Sequence, residues 1–289
     1  MKNFVSAKKL VDQAKAGKYA VAHFNINNLE WTKSLLEVAQ ETNTGIILGV
    51  SEGAIKYMGG YYVVADLVQA LMKDLKITVS IALHLDHGQS LASCQKALEA
   101  GFTSVMFDGS HLDFEENLAI TKEVVALAKQ YHASVEAEAG SVGGEEDGVV
   151  GLGEVAKPDQ CQKLANLGID ILAAGINNIH GPYPKEWKGL KFEALAEIAN
   201  KTNKPLVLHG GSGIPKDQVL KAIKLGICKV NVNTELQEVF AAAIRKYINA
   251  NEDQKSKGYD PRKIMAGPMK AIKDKAKELL KEFGSYGHN

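Results

Sequence analysis

Short apolar segments alternate with amphipathic segments along the whole chain. The apolar segments are rich in Val, Ile, Leu and Ala and end in glycine or polar residues, which is the pattern of strands buried on both faces. The segments between them carry apolar residues at helical spacing. The pattern predicts eight strands, at 19–25, 45–51, 78–83, 104–108, 134–138, 171–176, 205–212 and 229–234.

This alternation predicts an α/β fold. Strands that alternate with helices favour a parallel sheet with helical crossovers, and eight such units favour a closed (β/α)8 TIM barrel. We expect one domain over residues 1–289, with a C-terminal helical extension at about 259–283. A doubly wound open sheet is the alternative, although no G-x-G-x-x-G follows the first strand, which argues against dinucleotide binding.

Composition narrows the function classes. The chain has 289 residues, with 34 basic and 34 acidic side chains, so nothing in its net charge favours nucleic acid. Its three cysteines are far apart and odd in number, which is typical of a reducing compartment. We expect no secretory signal, because the first five residues are followed by Ser6-Ala7-Lys8-Lys9 rather than by an apolar run, and no uncharged apolar run approaches ~18 residues. We therefore expect a soluble cytoplasmic protein without membrane partners.

A polar side chain follows nearly every predicted strand. In a barrel the carboxyl ends of the strands meet at one rim, where active sites lie. Each residue alone could be a turn-former or a hydrogen-bonded core histidine, but one site at the rim explains all of them together. The residues are Asn25, Ser51, Asp86, His87, Asp108, Glu138, His180, His209 and Asn231.

Three of these strand-end residues are histidines: His87, His180 and His209. Three imidazoles with an open fourth position form a typical catalytic Zn2+ site. The spacing of these histidines along the chain is not a recognisable motif. Strict alternation would also send Asp86 and His87 to opposite faces, so both reach the site only if the strand ends near Asp86. His84 shares the parity of Asp86, and we expect it to support the site rather than to bind metal.

A second feature points to phosphate. Gly210, Gly211 and Ser212 follow the seventh strand, and Asn233 and Thr234 open the helix after the eighth. Glycines let backbone approach a ligand, and free N–H groups at a helix start favour phosphate. Two ordinary capped turns are the alternative. Metal beside phosphate predicts a phosphorylated sugar whose carbonyl is polarised by the metal.

The chain resembles class II fructose-bisphosphate aldolases over almost its whole length. The segments that carry the resemblance are F-N-I-N-N (24–28), G-V-S-E-G-A (49–54), H-L-D-H-G (84–88), S-V-M-F-D (104–108), V-E-A-E (135–138), V-G-G-E-E-D (142–147), H-G-P-Y (180–183), L-V-L-H-G-G-S-G-I-P (206–215), N-V-N-T-E (231–235) and Y-D-P-R (259–262). Ala139 and the segment 176–178 depart from the family's usual sequence.

The resemblance implies a reversible cleavage of fructose 1,6-bisphosphate to dihydroxyacetone phosphate and glyceraldehyde 3-phosphate through a Zn2+-stabilised enediolate. It implies that His87, His180 and His209 hold the catalytic Zn2+. It also implies that Asp108 and Glu138 hold a second or alternative metal position.

For proton transfer, the resemblance implies Asp86 at the C4 hydroxyl and Glu146 at C3, with Glu146 brought in by closure of the 140–153 loop. Arg262 matches a basic residue that reaches the distal phosphate from a neighbouring subunit, so a homodimer or higher homo-oligomer is expected. The matching substrate-binding positions, beside which a monovalent cation (Na+ or K+) is expected, are Asn25, Ser51, Gly181, Gly210, Gly211, Ser212, Asn231, Val232, Asn233 and Thr234.

Three alternatives stay open at this stage. A Schiff-base aldolase needs a lysine at a strand's carboxyl end, and Lys229 stands instead at a strand start. A non-catalytic metal- or phosphate-binding barrel leaves Asp86 without a role. The same mechanism could also act on tagatose 1,6-bisphosphate or a related ketose phosphate, because the contacts that select the C4 configuration are not readable from sequence.

Overall fold

A computed structural model describes residues 2–146 and 149–289, without the side chains of Glu146, Val149, Val150 and Leu152. Within these residues eight parallel strands close into a barrel in the order β1-β11-β10-β8-β5-β4-β3-β2. The predicted TIM barrel is therefore confirmed, and the open-sheet alternative is wrong. The barrel strands are β1 (Val21–Asn25), β2 (Ile46–Val50), β3 (Ile81–Gly88), β4 (Ser104–Phe107), β5 (Ser134–Ala139), β8 (Ile171–Ala174), β10 (Leu206–Leu208) and β11 (Ile227–Val232).

Helices surround the barrel and bury its outer face. Their apolar stripes pack against the outward-facing side chains of the strands in one continuous core. The helices are α1 (Ala7–Gly17), α2 (Leu29–Glu41), α3 (Glu52–Met58), α4 (Tyr61–Asp74), α5 (Leu91–Glu99), α6 (Phe114–Gln130), α7 (Pro158–Asn166), α8 (Phe192–Thr202), α9 (Lys216–Lys224), α10 (Thr234–Asn249) and α11 (Pro261–Glu282). Among the described helices, none is both long and apolar enough to span a bilayer.

The bottom of the barrel is apolar. Leu10 and Val11 of α1 belong to one buried cluster with strand residues such as Val21, Ile47 and Ala82. The segment before α1 is held in place by backbone hydrogen bonds to Ile81. The helix thus closes the amino-terminal ends of the strands, and the predicted site residues lie at the opposite rim.

The glycine-rich segment expected to be a loop is partly a small sheet. β6 (Gly143–Glu146) pairs antiparallel with β7 (Val149–Leu152) and parallel with β9 (Ile179–His180). Gly151 is required here, because a β-carbon at this position would lie 1.7 Å from the carbonyl oxygen of Val142. The glycines that suggested a loop instead let strands approach closely. The hairpin is consequently attached to the segment that carries His180.

Candidate active site and metal centre

A cavity of about 760 Å3 opens at the carboxyl-terminal rim of the barrel. It lies between the ends of the strands, α3 and the start of α10. Nine residues proposed from sequence line it: Asn25, Ser51, His180, Gly181, Gly210, Ser212, Asn231, Asn233 and Thr234. The side chains of Asp86, Asp108, Glu138 and His209 are buried nearby at the strand ends.

The end of β3 solves the alternation problem posed by Asp86 and His87. The register of β3 against β4 shifts between Leu85 and Gly88, and His87 takes the left-handed backbone conformation with φ 50°. The sequence suggested that the strand would have to end near Asp86 for both side chains to reach the site. β3 instead continues to Gly88, and the irregularity takes the place of a strand end. It breaks the strict alternation of faces, so Asp86 and His87 both point toward the site.

His87, His180 and His209 converge on one point. Each offers a ring nitrogen, and the three nitrogens lie within 4.8 Å of one another. His87 Nε2 and His209 Nδ1 are 3.0 Å apart. Three strands or their loops therefore bring together a set of imidazoles of the kind that holds a divalent ion.

The other hydrogen bonds of these rings indicate their tautomers. His87 Nδ1 lies 2.7 Å from Asp108 Oδ2, and His209 Nε2 lies 2.8 Å from Glu136 Oε1. Carboxylates only accept, so these two nitrogens carry the protons. Burial lowers the pKa of His209 and favours its neutral form. Two lone pairs then face each other across 3.0 Å, an arrangement that a cation between them satisfies. The residues present therefore fit a bound metal ion.

A second group of potential ligands shares His87 with the first. Ligand atoms of His87, Asp108 and Glu138 also lie within 4.8 Å of one another. Burial opposes ionisation of Asp108, but the interactions with His87 and the hydrogen bonds from Ser110 together outweigh this and hold its pKa well below the usual range. Burial, followed by the nearby charge of Asp108, raises the pKa of Glu138 well above its usual range. Oε2 of Glu138 is buried without a protein hydrogen-bond partner, so this carboxylate can accept a ligand.

A third cluster is formed by His23, His84 and Asp86, and in it the nitrogens of His84 already have partners. His84 Nδ1 lies 2.7 Å from Ser104 Oγ, and its Nε2 lies 3.5 Å from the ammonium of Lys229. Burial and then the Lys229 charge lower the pKa of both His23 and His84, so both rings are neutral. The hydrogen-bond partners of His84 lie in the barrel interior, and its role in supporting the site rather than binding metal stays a prediction.

Asp86 is 1% exposed and lies directly below the cavity floor. Asn25 Nδ2 donates to its Oδ2 at 2.9 Å, and Asn231 Nδ2 approaches its Oδ1 at 3.4 Å. Two amides therefore fix the carboxylate between the ends of β1 and β11. Asn231 Nδ2 also lies 3.2 Å from His209 Nδ1, which places Asp86 and the histidine cluster side by side.

The loop after β10 and the start of α10 form the candidate phosphate site. Gly210 has φ 62°, and a β-carbon there would lie 2.1 Å from the carbonyl oxygen of Ile179. Ser212 Oγ accepts a hydrogen bond of 3.2 Å from Glu235 N, so the loop is tied to the first turn of α10. Thr234 begins that helix, whose amino-terminal N–H groups and dipole favour an anion.

The loop that carries His180 is fastened to the loop that carries His209. Asn178 is buried, accepts a hydrogen bond from Ile176 N and donates to the carbonyl oxygen of His209 at 2.9 Å. The hydroxyl of Tyr183 accepts from Ile179 N at 3.0 Å and donates to the carbonyl oxygen of Gly210 at 2.8 Å. The departure from family sequence at 176–178 therefore contributes to holding two candidate ligands in register.

The remaining predicted site residues lie in different surroundings. Gly181 has φ 82° and open space where a side chain would be. The side chain of Val232 belongs to the apolar core, so only its backbone faces the site region. The Arg262 side chain is 90% exposed and paired with Asp260, and it does not line the described cavity of its own chain. The side chain of Glu146 lies outside the described residues.

Sequence reasoning missed Glu136 and Lys229. Glu136 is fully buried inside the barrel and binds both His209 and Lys229. The segment V-E-A-E held the signal, because Glu136 and Glu138 are two apart in a strand and share a face. Lys229 does not line the described cavity, and its ammonium donates to Glu136 at 2.6 Å. This charged, engaged amine does not favour a Schiff base.

Comparison with known proteins gives one consistent result. Residues 5–288 match the family described as "Fructose-bisphosphate aldolase class-II". A fructose-bisphosphate aldolase of Mycoplasma genitalium is 55% identical over 283 residues, which cover 97% of this chain and 98% of the relative. One from Streptococcus pneumoniae is 49% identical over 289 residues, covering 98% of each chain.

Solved structures agree in fold. The YdjI aldolase of Escherichia coli K12 has 29% sequence identity and a TM-score of 0.82, with 98% of each chain covered. A fructose-bisphosphate aldolase of Campylobacter jejuni, at 22% identity, has a TM-score of 0.85 over 99% of this chain and 97% of that one. At that identity the second likeness supports the fold alone.

Proposed function

The chain belongs to the class II fructose-bisphosphate aldolase family, a family of zinc-dependent carbon–carbon lyases, and we propose that it cleaves fructose 1,6-bisphosphate reversibly. The products are dihydroxyacetone phosphate and glyceraldehyde 3-phosphate, as in glycolysis. The observation that carries the proposal is the convergence of three imidazoles beside the buried carboxylate of Asp86, at the floor of a cavity.

We assign the catalytic metal to His87, His180 and His209. A divalent ion held by neutral ligands keeps its full charge, and it would polarise the C2 carbonyl and favour electron density on that half of the sugar. Asp108 orients His87 through the hydrogen bond between them. We assign Asp108 and Glu138 to a second or alternative metal position, supported by the unpartnered oxygen of Glu138.

Asp86 is the proposed general base and acid at the C4 hydroxyl. During cleavage the carboxylate accepts the hydroxyl proton while the C3–C4 bond breaks and C4 becomes the aldehyde. During condensation it returns that proton to the C4 oxygen. The amides of Asn25 and Asn231 hold the carboxylate in position for both directions. We assign proton transfer at C3 to Glu146.

The phosphate of the dihydroxyacetone half is assigned to the loop after β10 and the start of α10. We assign Gly210, Gly211 and Ser212 to one side of this subsite and the backbone from Asn231 to Thr234 to the other. We also place a monovalent cation here, because it would offset the charge of the phosphate. Gly181, Asn25 and Ser51 would complete the contacts to the sugar from the cavity wall.

Among the described residues, the cavity offers no cationic side chain for the distal phosphate. The described lining of the cavity contains neither Lys nor Arg, whereas Arg262 is exposed on α11. We propose that a neighbouring copy supplies Arg262, which makes a homodimer the smallest complete enzyme. We further propose one domain over residues 1–289 and a reducing, cytoplasmic location, which is supported by three free and buried cysteines.

The experiment that tests the proposal compares two epimeric substrates on one zinc-loaded sample. Turnover of fructose and tagatose 1,6-bisphosphates is followed by coupled detection of glyceraldehyde 3-phosphate. Faster turnover of the fructose substrate is expected, and a preference for tagatose 1,6-bisphosphate would correct the substrate. Substrate with borohydride should leave the protein unmodified. Covalent trapping would contradict the metal mechanism.

A further inference from the structure

Inside the barrel, below the three histidines, lies a buried ion pair that the proposed reaction does not use. The carboxylate of Glu136 divides its two oxygens between two partners. Oε1 lies 2.8 Å from His209 Nε2, and Oε2 lies 2.6 Å from the ammonium of Lys229. All three side chains are 0–1% exposed.

We propose that Glu136, held by Lys229, is a positioning residue that fixes His209 as an Nδ1 metal ligand and thereby sets the affinity of the site for divalent ions. The inference rests on the metal site assigned above and deepens it. A carboxylate can only accept, so it forces the proton of His209 onto Nε2 and leaves the Nδ1 lone pair toward His87. An amide in the same place could also donate, so it would not specify the tautomer.

Lys229 is needed because the carboxylate is cut off from water. An uncompensated charge inside a barrel is strongly unfavourable, and the ammonium lies within hydrogen-bond distance of the oxygen that His209 does not use. The lysine is itself fixed, since His84 Nε2 lies 3.5 Å from Nζ and His84 Nδ1 lies 2.7 Å from Ser104 Oγ. Hydrogen-bond partners on both Glu136 and Lys229 thus hold the ion pair in place.

Packing alone does not account for this arrangement. Interior layers of such barrels are usually filled by branched apolar side chains, and apolar residues of similar volume often replace buried ion pairs without loss of stability. An ion pair placed directly against a candidate ligand indicates a role toward that ligand. A purely structural pair would serve equally well anywhere in the interior.

The test separates structure from positioning with three variants: Glu136→Gln, Lys229→Met and the charge-free double variant. Zn2+ affinity is measured on the metal-free protein by competition with a chromophoric chelator. Unfolding by denaturant is measured in parallel, and visible absorption of the Co2+-loaded protein reports the ligand geometry. We expect each single variant to lose roughly 10- to 100-fold in Zn2+ affinity and to be less stable.

The double variant decides the question. It leaves no unpaired buried charge, so its stability should recover relative to the single variants, whereas its Zn2+ affinity should stay low and its Co2+ spectrum should stay altered. Wild-type affinity in the double variant or in Glu136→Gln would overturn the proposal. Asp159→Asn, which removes a surface partner of Lys201, is the matched control and should change nothing.

Failure of this inference can be told apart from failure of the proposed function. Zn2+ competition needs no substrate. If the wild-type protein cleaves fructose 1,6-bisphosphate but Glu136→Gln binds Zn2+ normally, only the positioning role fails. If affinity falls as expected while no ketose bisphosphate is cleaved, the reaction assignment fails and the positioning role stands.

Discussion

The imidazole of His23 lies directly over the α-carbon of Gly49 in the neighbouring strand. A β-carbon at Gly49 would lie 1.7 Å from His23 Nε2. The missing side chain on β2 therefore makes room for an imidazole from β1, which comes within 3.9 Å of Asp86 Oδ1. A glycine in the sheet here shapes the floor of the site.

This relationship predicts a pair of coupled substitutions. Gly49→Ala should destabilise the protein by about 1–3 kcal/mol, because the added methyl group would force the buried ring of His23 to shift. Adding His23→Ala should recover part of that loss, since the methyl group then enters the vacated volume. Denaturant unfolding of the two single variants and the double variant measures the coupling. Additive effects would contradict the close contact.

Metal removal should abolish activity reversibly. Prolonged chelation is expected to reduce aldolase turnover to the assay background, and adding Zn2+ should restore it, because the carbonyl loses its electrophilic partner. His180→Ala should contain little zinc after dialysis and stay inactive with the metal supplied. Lys270→Gln, on the exposed face of α11, is the control. Full activity in the chelated protein would argue against metal catalysis.

Replacement of Asp86 should separate chemistry from binding. Asp86→Asn keeps the shape of the side chain and removes the base, so kcat should fall by about 10^2- to 10^4-fold. The zinc content should stay close to that of the wild type, since Asp86 is not an assigned ligand. Steady-state kinetics together with metal analysis checks both statements. Unchanged turnover would favour a protein that only binds.

Glu138 predicts a pH-dependent stability difference in the metal-free protein. Because its folded-state pKa is raised above the unfolded value, ionisation destabilises the fold, and the penalty grows as pH rises from the unfolded pKa through the folded one. Glu138→Gln should therefore stabilise the metal-free protein by about 1–3 kcal/mol at high pH, and by little near pH 4. Denaturant curves of both proteins across this range measure the difference. A gain that is largest in acid would have the wrong sign.

Tyr183 predicts an effect on the loop that joins the two histidine segments. Tyr183→Phe removes one hydroxyl that accepts from Ile179 and donates to Gly210, so a cost of about 1–3 kcal/mol is expected. Weaker binding of dihydroxyacetone phosphate should accompany it, because Gly210 belongs to the assigned phosphate subsite. Calorimetric titration and unfolding test both effects. Tyr62→Phe, at an exposed position, should match the wild type.

Hydrophobic patterning was sufficient to predict the barrel and most of its rim. Strand ends such as Asn25, Ser51 and Asn231 are visible from sequence because a polar residue interrupts an apolar run. Their convergence follows from parallel topology alone. The positions of His180 and His209 after predicted strands were likewise enough to predict that both lie at the same rim of an eight-stranded barrel.

Features that depend on exact backbone geometry were not predictable in this way. Strict alternation would send the side chains of Asp86 and His87 to opposite faces of the strand. Both face the site because His87 has a left-handed backbone conformation within a shifted register. The pairing of β6 with β7 was missed because the glycines of these strands also suit a loop. The sequence indicated that Lys229 stands at the start of a strand, but not which way its side chain points. The register against neighbouring strands shows that this side chain lies inside the barrel and pairs with Glu136.

The pairing of β6 with β9 joins the hairpin to the histidine segment. Gly143 aligns with Ile179 and Gly144 with His180, and Gly143 N donates to the carbonyl oxygen of Asn178 at 3.0 Å. A displaced hairpin must either break this pairing or carry the imidazole with it. Because we assign His180 as a metal ligand, we expect the residence time of the ion and the exchange of sugars at the mouth to depend on one mechanical unit.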